Sequence, residues 1–141
     1  MAADAWVFHD RFKEYQGDNT IDMDGDIFEM RLYLSTSNIA TTSVGDATTA
    51  TNEVAVSGYA ADVLTATWTR STSTVTFDSD AGAFTPSATL TARFAAIVDT
   101  TTIPDEIVCH SLLDNSPADV SVTSGNTLTV EMHANGIGTL T

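Results

Sequence analysis

Val63-Leu-Thr-Ala-Thr-Trp-Thr-Arg-Ser-Thr-Ser-Thr-Val-Thr-Phe-Asp78 reads as two strands around a short turn. Leu64, Ala66 and Trp68 alternate with Thr65, Thr67 and Thr69, and Val75 and Phe77 alternate with Thr74 and Thr76. A period of two places the apolar set on one face of a pleated ribbon and the threonines on the other. β-branched threonine suits that half-exposed face. Ser71-Thr72-Ser73 is a connection of hairpin length. The spacing predicts a hairpin of Val63–Arg70 and Thr74–Asp78.

The same pattern extends in both directions. Toward the start of the chain, Ile27–Leu34 places Phe28, Met30, Leu32 and Leu34 opposite Glu29, Arg31 and Tyr33, which predicts a strand with one buried face. Ser35–Asn52 is rich in Thr, Ser, Ala and Asn and reads as a long mobile surface loop. A brief strand is expected at Glu53–Ser57. Toward the end, Thr89–Asp99 predicts the longest strand, with Leu90, Ala92, Phe94, Ala96 and Val98 on one side. Ile107–Leu113 is a further strand, with turns at Pro104 before it and at Pro117 after it. Val120–Thr123 and Thr127–His133 are expected to pair across Ser124-Gly125-Asn126, and Ile137–Leu140 is the last strand. Roughly eight or nine strands with turn signals every 8–12 residues argue an all-β fold, an antiparallel β-sandwich of jelly-roll-like type. The expected core is Phe28, Leu32, Trp68, Phe77, Phe94, Val98, Leu128 and Val130.

Residues 1–17 stand apart as an N-terminal helix or arm, and residues 18–141 form the single sandwich domain. Ala5, Phe8, Phe12 and Tyr15 recur at helical spacing, with Asp4 as a cap and Gly17 where a helix ends. An extended arm is the rival reading, because Trp6 and Phe8 also share a strand face. Trp6, Phe8, Arg11, Phe12 and Tyr15 concentrate aromatic and guanidinium surface, the residue types that dominate binding hot spots. They are the candidate interface. The alternative is that the segment covers one end of the sandwich.

The chain of 141 residues carries 19 acids against five bases, a net charge of -14. Such a charge repels phosphate backbones and anionic membranes, so neither nucleic acid nor membrane is an expected partner. Abundant Asp and Thr with a single lysine resemble proteins of halophiles. Apolar residues make up 43% of the chain and are spread along it, unlike a disordered acidic tail. No apolar run approaches the roughly 20 residues that span a bilayer. Met1-Ala-Ala-Asp4 lacks the basic start and apolar stretch of a signal peptide, so synthesis and use without secretion are expected.

Chemistry is sparsely signalled. Asp18, Asp22, Asp24 and Asp26 suggest oxygen ligation of a hard cation, with Asp22, Asp24 and Asp26 the candidate ligands. Counted from Asp22, however, Ile27 stands where a calcium loop needs glycine and Tyr33 where it needs glutamate, which favours a solvated turn. Cys109 and His110 are neighbours in a strand and point to opposite faces, so they do not share a zinc ion with His9 or His133. Cys109, the only cysteine, is expected to be buried and inert. No Gly-x-Ser-x-Gly elbow occurs, and Gly136-Ile-Gly138 lacks the third glycine of a phosphate loop. Trp6, Tyr33, Tyr59 and Trp68 could line a sugar-binding face, though core or interface roles are the more usual use of such aromatics. No cofactor and no enzymatic activity are expected.

Thr20-Ile-Asp-Met-Asp-Gly-Asp-Ile-Phe-Glu-Met-Arg-Leu32, then Asn52-Glu-Val54, Gly58-Tyr59, Leu64-Thr-Ala-Thr-Trp-Thr-Arg70, Val75-Thr-Phe-Asp78, Thr91-Ala-Arg-Phe-Ala-Ala-Ile-Val-Asp99 and Gly136-Ile137 resemble, in order and spacing, a family of small phage structural proteins, the jelly-roll cement or decoration proteins of tailed viruses. The resemblance implies a virion protein on the outer capsid surface. It would be made in the host cytoplasm and would tie capsomers together. The implied partners are the major capsid protein and neighbouring copies of the chain. The low lysine content and the long Thr/Ala loop depart from the family, and a halophilic host would explain the first. A tail or fibre component and a carbohydrate-binding module are the alternatives. No catalytic residue is implied.

Overall fold

The computed structural model describes residues 3–116 and 118–141; the turn expected at Pro117 lies outside the described residues. Among the described residues the fold is all-β with one helix. The larger layer is a five-stranded antiparallel sheet. Its strands are β1 (Val7–Phe8), β2 (Phe28–Tyr33), β3 (Asp62–Val63), β8 (Phe94–Asp99) and β9 (Glu106–Leu112), in the order β1-β9-β8-β2-β3. Against it lie three short antiparallel ribbons. The first comprises β4 (Ala66–Ser71), β5 (Thr74–Ser79) and β12 (Gly138–Leu140). The others pair β6 (Gly82–Phe84) with β11 (Leu128–Val130), and β7 (Leu90–Ala92) with β10 (Val120–Val122). Phe28, Met30, Leu32 and Ile97 of the large sheet meet Phe77, Phe84, Leu90 and Val130 of the ribbons in one buried cluster. Two antiparallel layers around one apolar core make a β-sandwich. Burial of each of these side chains contributes about 1.5–3 kcal/mol.

The β4–β5 hairpin forms in the expected register, with Trp68 opposite Phe77 and Ser71 opposite Thr74. Of the expected core, Phe28, Leu32, Phe77, Val98, Leu128 and Val130 are buried; Trp68 and Phe94 are half-buried. Gly82 marks a close approach between layers, since a Cβ there would fall within the Met30 thioether.

Several expectations are corrected. The stretch Thr89–Asp99 is not one strand. It breaks at Arg93, whose N–H donates to Tyr33 O (2.8 Å) and whose carbonyl accepts from Leu113 N (3.0 Å). The break inverts the faces: Leu90 and Ala92 join the inner core, whereas Phe94, Ala96 and Val98 turn to the outer face. Strand β9 carries a bulge, because Ile97 pairs with Cys109 and Val98 with Ile107. The unpaired Val108 therefore shares the inner side with Cys109, as a bulge permits.

Strand β2 alternates as expected, with Phe28, Met30 and Leu32 buried and Glu29 and Arg31 half-buried, but its outer face is buried at Tyr33. Tyr33, Ala96, Val98 and Ile107 form a second cluster with Ile39 on the outside of the sheet. Ser35–Asn52 is accordingly a pinned cover rather than a free surface loop. Asn38 Oδ1 accepts from Thr51 N (2.8 Å), its Nδ2 donates to Thr49 O (3.0 Å), and Ile107 N donates to Gly45 O (2.8 Å). Glu53–Ser57 forms only a single bridge, Glu53 to Tyr33. The strands around Ser124-Gly125-Asn126 do not pair with each other. They diverge, β10 to β7 and β11 to β6, because Gly125 N binds Pro86 O (2.9 Å) and carries the turn between ribbons.

The N-terminal segment takes both of its expected forms. Residues up to His9 run extended, with β1 paired to β9, and the helix α1 spans Asp10–Gly17. His9, not Asp4, is the residue before its first turn. The backbone of Ala3 donates to Glu131 O (3.0 Å) and that of Asp4 to Leu112 O (3.1 Å). The segment is thus woven into both layers and is not a separable arm.

Candidate functional site

The five candidate interface residues divide into buried and accessible groups. Trp6 and Phe12 are buried, at 8% and 4% exposure, and Phe8 stacks on Phe12 with ring centroids 5.0 Å apart. Trp6 and Phe12 therefore cover one end of the sandwich. Arg11 ties three elements together. Its guanidinium donates to Tyr15 Oη (2.6 Å) and pairs with Asp46 of the cover (3.1 Å) and Glu106 of β9 (2.8 Å). The Tyr15 hydrogen bond, first, and the two carboxylates hold its pKa above the ordinary arginine value. Asp46 is held below the usual carboxylate range, first by the Thr48 hydroxyl. Burial pushes Glu106 up.

What this end leaves open is a groove. A cavity of about 230 Å³ lies between α1 and the β12-β5-β4 ribbon, walled by Phe8, Phe12, Trp68, Phe77 and Leu140, with Lys13 at its edge. Gln16, Trp68 and Leu140 are shared with a second recess of about 310 Å³, walled by Ile21, Met23, Asp22 and Asp24. Leu140, half-exposed, sits on β12, an edge strand of its ribbon. Edge strands offer unpaired backbone groups for strand addition. Gly138 permits the arrangement, since a Cβ there would enter the Phe8 ring.

Two of the three candidate cation ligands, Asp22 and Asp26, are engaged within their own turn. Asp22 Oδ1 accepts from Asp24 N (3.1 Å), and Asp26 Oδ2 accepts from Asp22 N (2.7 Å). Among the described residues no group of three or more His, Cys, Asp or Glu is placed to hold a metal ion. Cys109 lies in the inner core, where burial pushes its thiol up. His110, on the opposite face, meets His9. The four aromatics considered for a sugar face do not share one. Tyr33 and Trp6 are buried, and Tyr59 Oη is bonded to Leu32 N and Glu53. Only Trp68 lines the groove.

The sequence reading missed the acidic row at the other edge of the site. Asp46 bridges to Glu106, and Glu106 stands opposite Asp99 across β8 and β9. Alternation in Thr89–Asp99 had pointed to apolar positions and gave no weight to the terminal aspartate.

Comparison with protein-family models, with curated proteins and with solved structures finds no match to this chain.

Proposed function

We propose that this chain is a cement or decoration protein of a tailed-virus capsid, of jelly-roll type, which binds the outer shell and bridges neighbouring subunits of the major capsid protein. The observation that supports this reading best is the groove at Trp68 and Leu140. It offers room for one large apolar side chain beside an open strand edge. Charge says what kind of segment fits. Four of the five bases, Arg11, Lys13, Arg31 and Arg93, are each held in an ion pair within the chain, while Asp22 and Asp24 wall the recess that adjoins the groove. The surface field is therefore negative, and the complementary partner is an apolar segment with basic neighbours.

One such groove makes a small interface, and small interfaces are weak singly. A protein held by several neighbours at once gains effective concentration instead. The test compares purified protein on assembled shells and on isolated capsid subunits by co-sedimentation. Tight binding to shells with weak binding to single subunits is expected. Leu140→Asp, at a half-exposed position, should lower shell affinity about tenfold or more. Absence of binding to any shell overturns the reading.

A further inference from the structure

Strand β4 (Ala66–Ser71) lies at the edge of its ribbon, whose order is β12-β5-β4. With six residues it is the longest edge strand among the described residues. The edges of the large sheet, β1 and β3, have two residues each, and β12 has three. Nothing blunts the β4 edge. Its register with β5 runs unbroken from Ala66 opposite Ser79 to Ser71 opposite Thr74, without the proline or bulge that protects many edges. Thr67, Thr69, Arg70 and Ser71 are exposed. In an antiparallel pair, alternate residues turn their backbone N–H and C=O away from the partner strand. The outer side of β4 therefore presents donors and acceptors to whatever strand comes alongside.

Charge indicates which strand that is. Residues 63–77 hold no acid, in a chain with 19 of them, so this edge escapes the repulsion that the rest of the surface exerts. Arg70, near the end of β4, is the one base without an ion pair among the described residues. Acids stand at the opposite end. Thr67 faces Asp78 on β5, and the exposed Asp80 accepts the N–H of Thr65 at 2.7 Å. The edge is thus positive at one end and negative at the other. A strand of that polarity complements a second copy of itself laid antiparallel, as a twofold axis requires.

We propose that β4 is a self-association edge, at which two copies of this chain pair their β4 strands antiparallel about an axis near Trp68. Each Arg70 then meets the Asp80 end of the other copy. The two half-buried indoles of Trp68, mid-strand, come side by side, an arrangement that adds to cross-strand pairing. The β12 edges remain at the two outer ends of the joined ribbons, so the association does not rest on the shell-binding reading. An interface of one strand is small, and the dimer is accordingly weak and concentration-dependent.

The test is sedimentation velocity of the full chain from about 1 µM to about 1 mM, in about 0.15 M salt, with amide hydrogen exchange at both ends of that range. A monomer–dimer equilibrium is expected, with slower exchange in residues 66–71 at high concentration. Arg70→Glu, at an exposed position, should weaken the dimer about tenfold or more, and Arg70→Glu with Asp80→Lys should recover part of that loss. A chain that stays monomeric throughout overturns the proposal. So does a dimer that Arg70→Glu leaves unchanged. A dimer whose residues 66–71 exchange as fast as in the monomer also overturns it, because the copies then meet elsewhere; this readout needs no variant to fold.

Discussion

His9 Nε2 lies 2.9 Å from His110 Nδ1, and His9 Nδ1 lies 2.5 Å from the carbonyl of Val44. A carbonyl only accepts, so His9 carries its proton on Nδ1 and its Nε2 accepts from His110. The relay joins β9, the N-terminal segment and the cover through two neutral imidazoles. Burial, then the neighbouring His9, lowers His110 to about 4, and burial lowers His9.

A depressed histidine pKa means that the unfolded chain binds more protons. Stability should therefore fall as pH drops from about 6.5 toward about 4, by on the order of 2–3 kcal/mol for His110. Asp99, pushed up to about 6 first by burial, acts with the opposite sign in an overlapping window, so the wild-type profile alone is ambiguous. Chemical denaturation of His110→Gln against wild type across this range isolates the histidine contribution. The variant should lose less stability on acidification, and parallel profiles would refute the assignment.

Arg11 gathers two carboxylates at the joint between α1, the cover and β9. Arg11→Met should leave Glu106 unpaired beside Asp99 and cost about 1–3 kcal/mol, because a buried charge without its partner is costly. Adding Glu106→Gln should recover part of the loss. Urea midpoints of the two singles and the double give the coupling; simple additivity would show that the pair does not hold the joint.

Gly82 touches Met30 across the core. Gly82→Ala should destabilise by about 1–3 kcal/mol through overpacking. Combined with Met30→Ala, which opens space at the same point, it should cost less than the sum of the two. Thermal unfolding of the three variants decides the matter.

With a net charge of -14, repulsion opposes the compact state, and salt screens it over about 8–10 Å near physiological ionic strength. The melting temperature should rise from low salt to molar potassium chloride. A flat or falling curve would count against a halophilic adaptation.

The hairpin at Trp68 and Phe77 was legible because each of its strands alternates strictly and its turn is local. The inner positions of β2 were legible for the same reason. The N-terminal segment satisfied two periods at once, and both were real in succession, with His9 as the joint. What escaped was non-local. Nothing around Arg93 signals a change of face, because the break is made by hydrogen bonds to Tyr33 and Leu113. Ile39 is a lone apolar residue in a polar stretch, so its burial under the cover left no periodic trace. Arg11 and Tyr15 were picked out for their chemistry, but their partners Asp46 and Glu106 lie far along the chain. The burial of Asp99 opposite Phe28 needs the β2–β8 register, which no local pattern contains.

The first described residues bond to parts of the chain made last. Ala3 waits for Glu131, Phe8 for Cys109 and the backbone of Gly138, and His9 for His110. During synthesis the aromatic stretch around Trp6, Phe8 and Phe12 emerges early, finds its strand partner only with β9 and meets Gly138 only when the final ribbon is out of the ribosome. Such long-range closure slows folding and leaves sticky surface open meanwhile. A premature stop or frameshift near residue 130 should therefore yield an insoluble product rather than a shortened working one, and expression yield should depend on chaperone capacity more than on the stability of the finished fold.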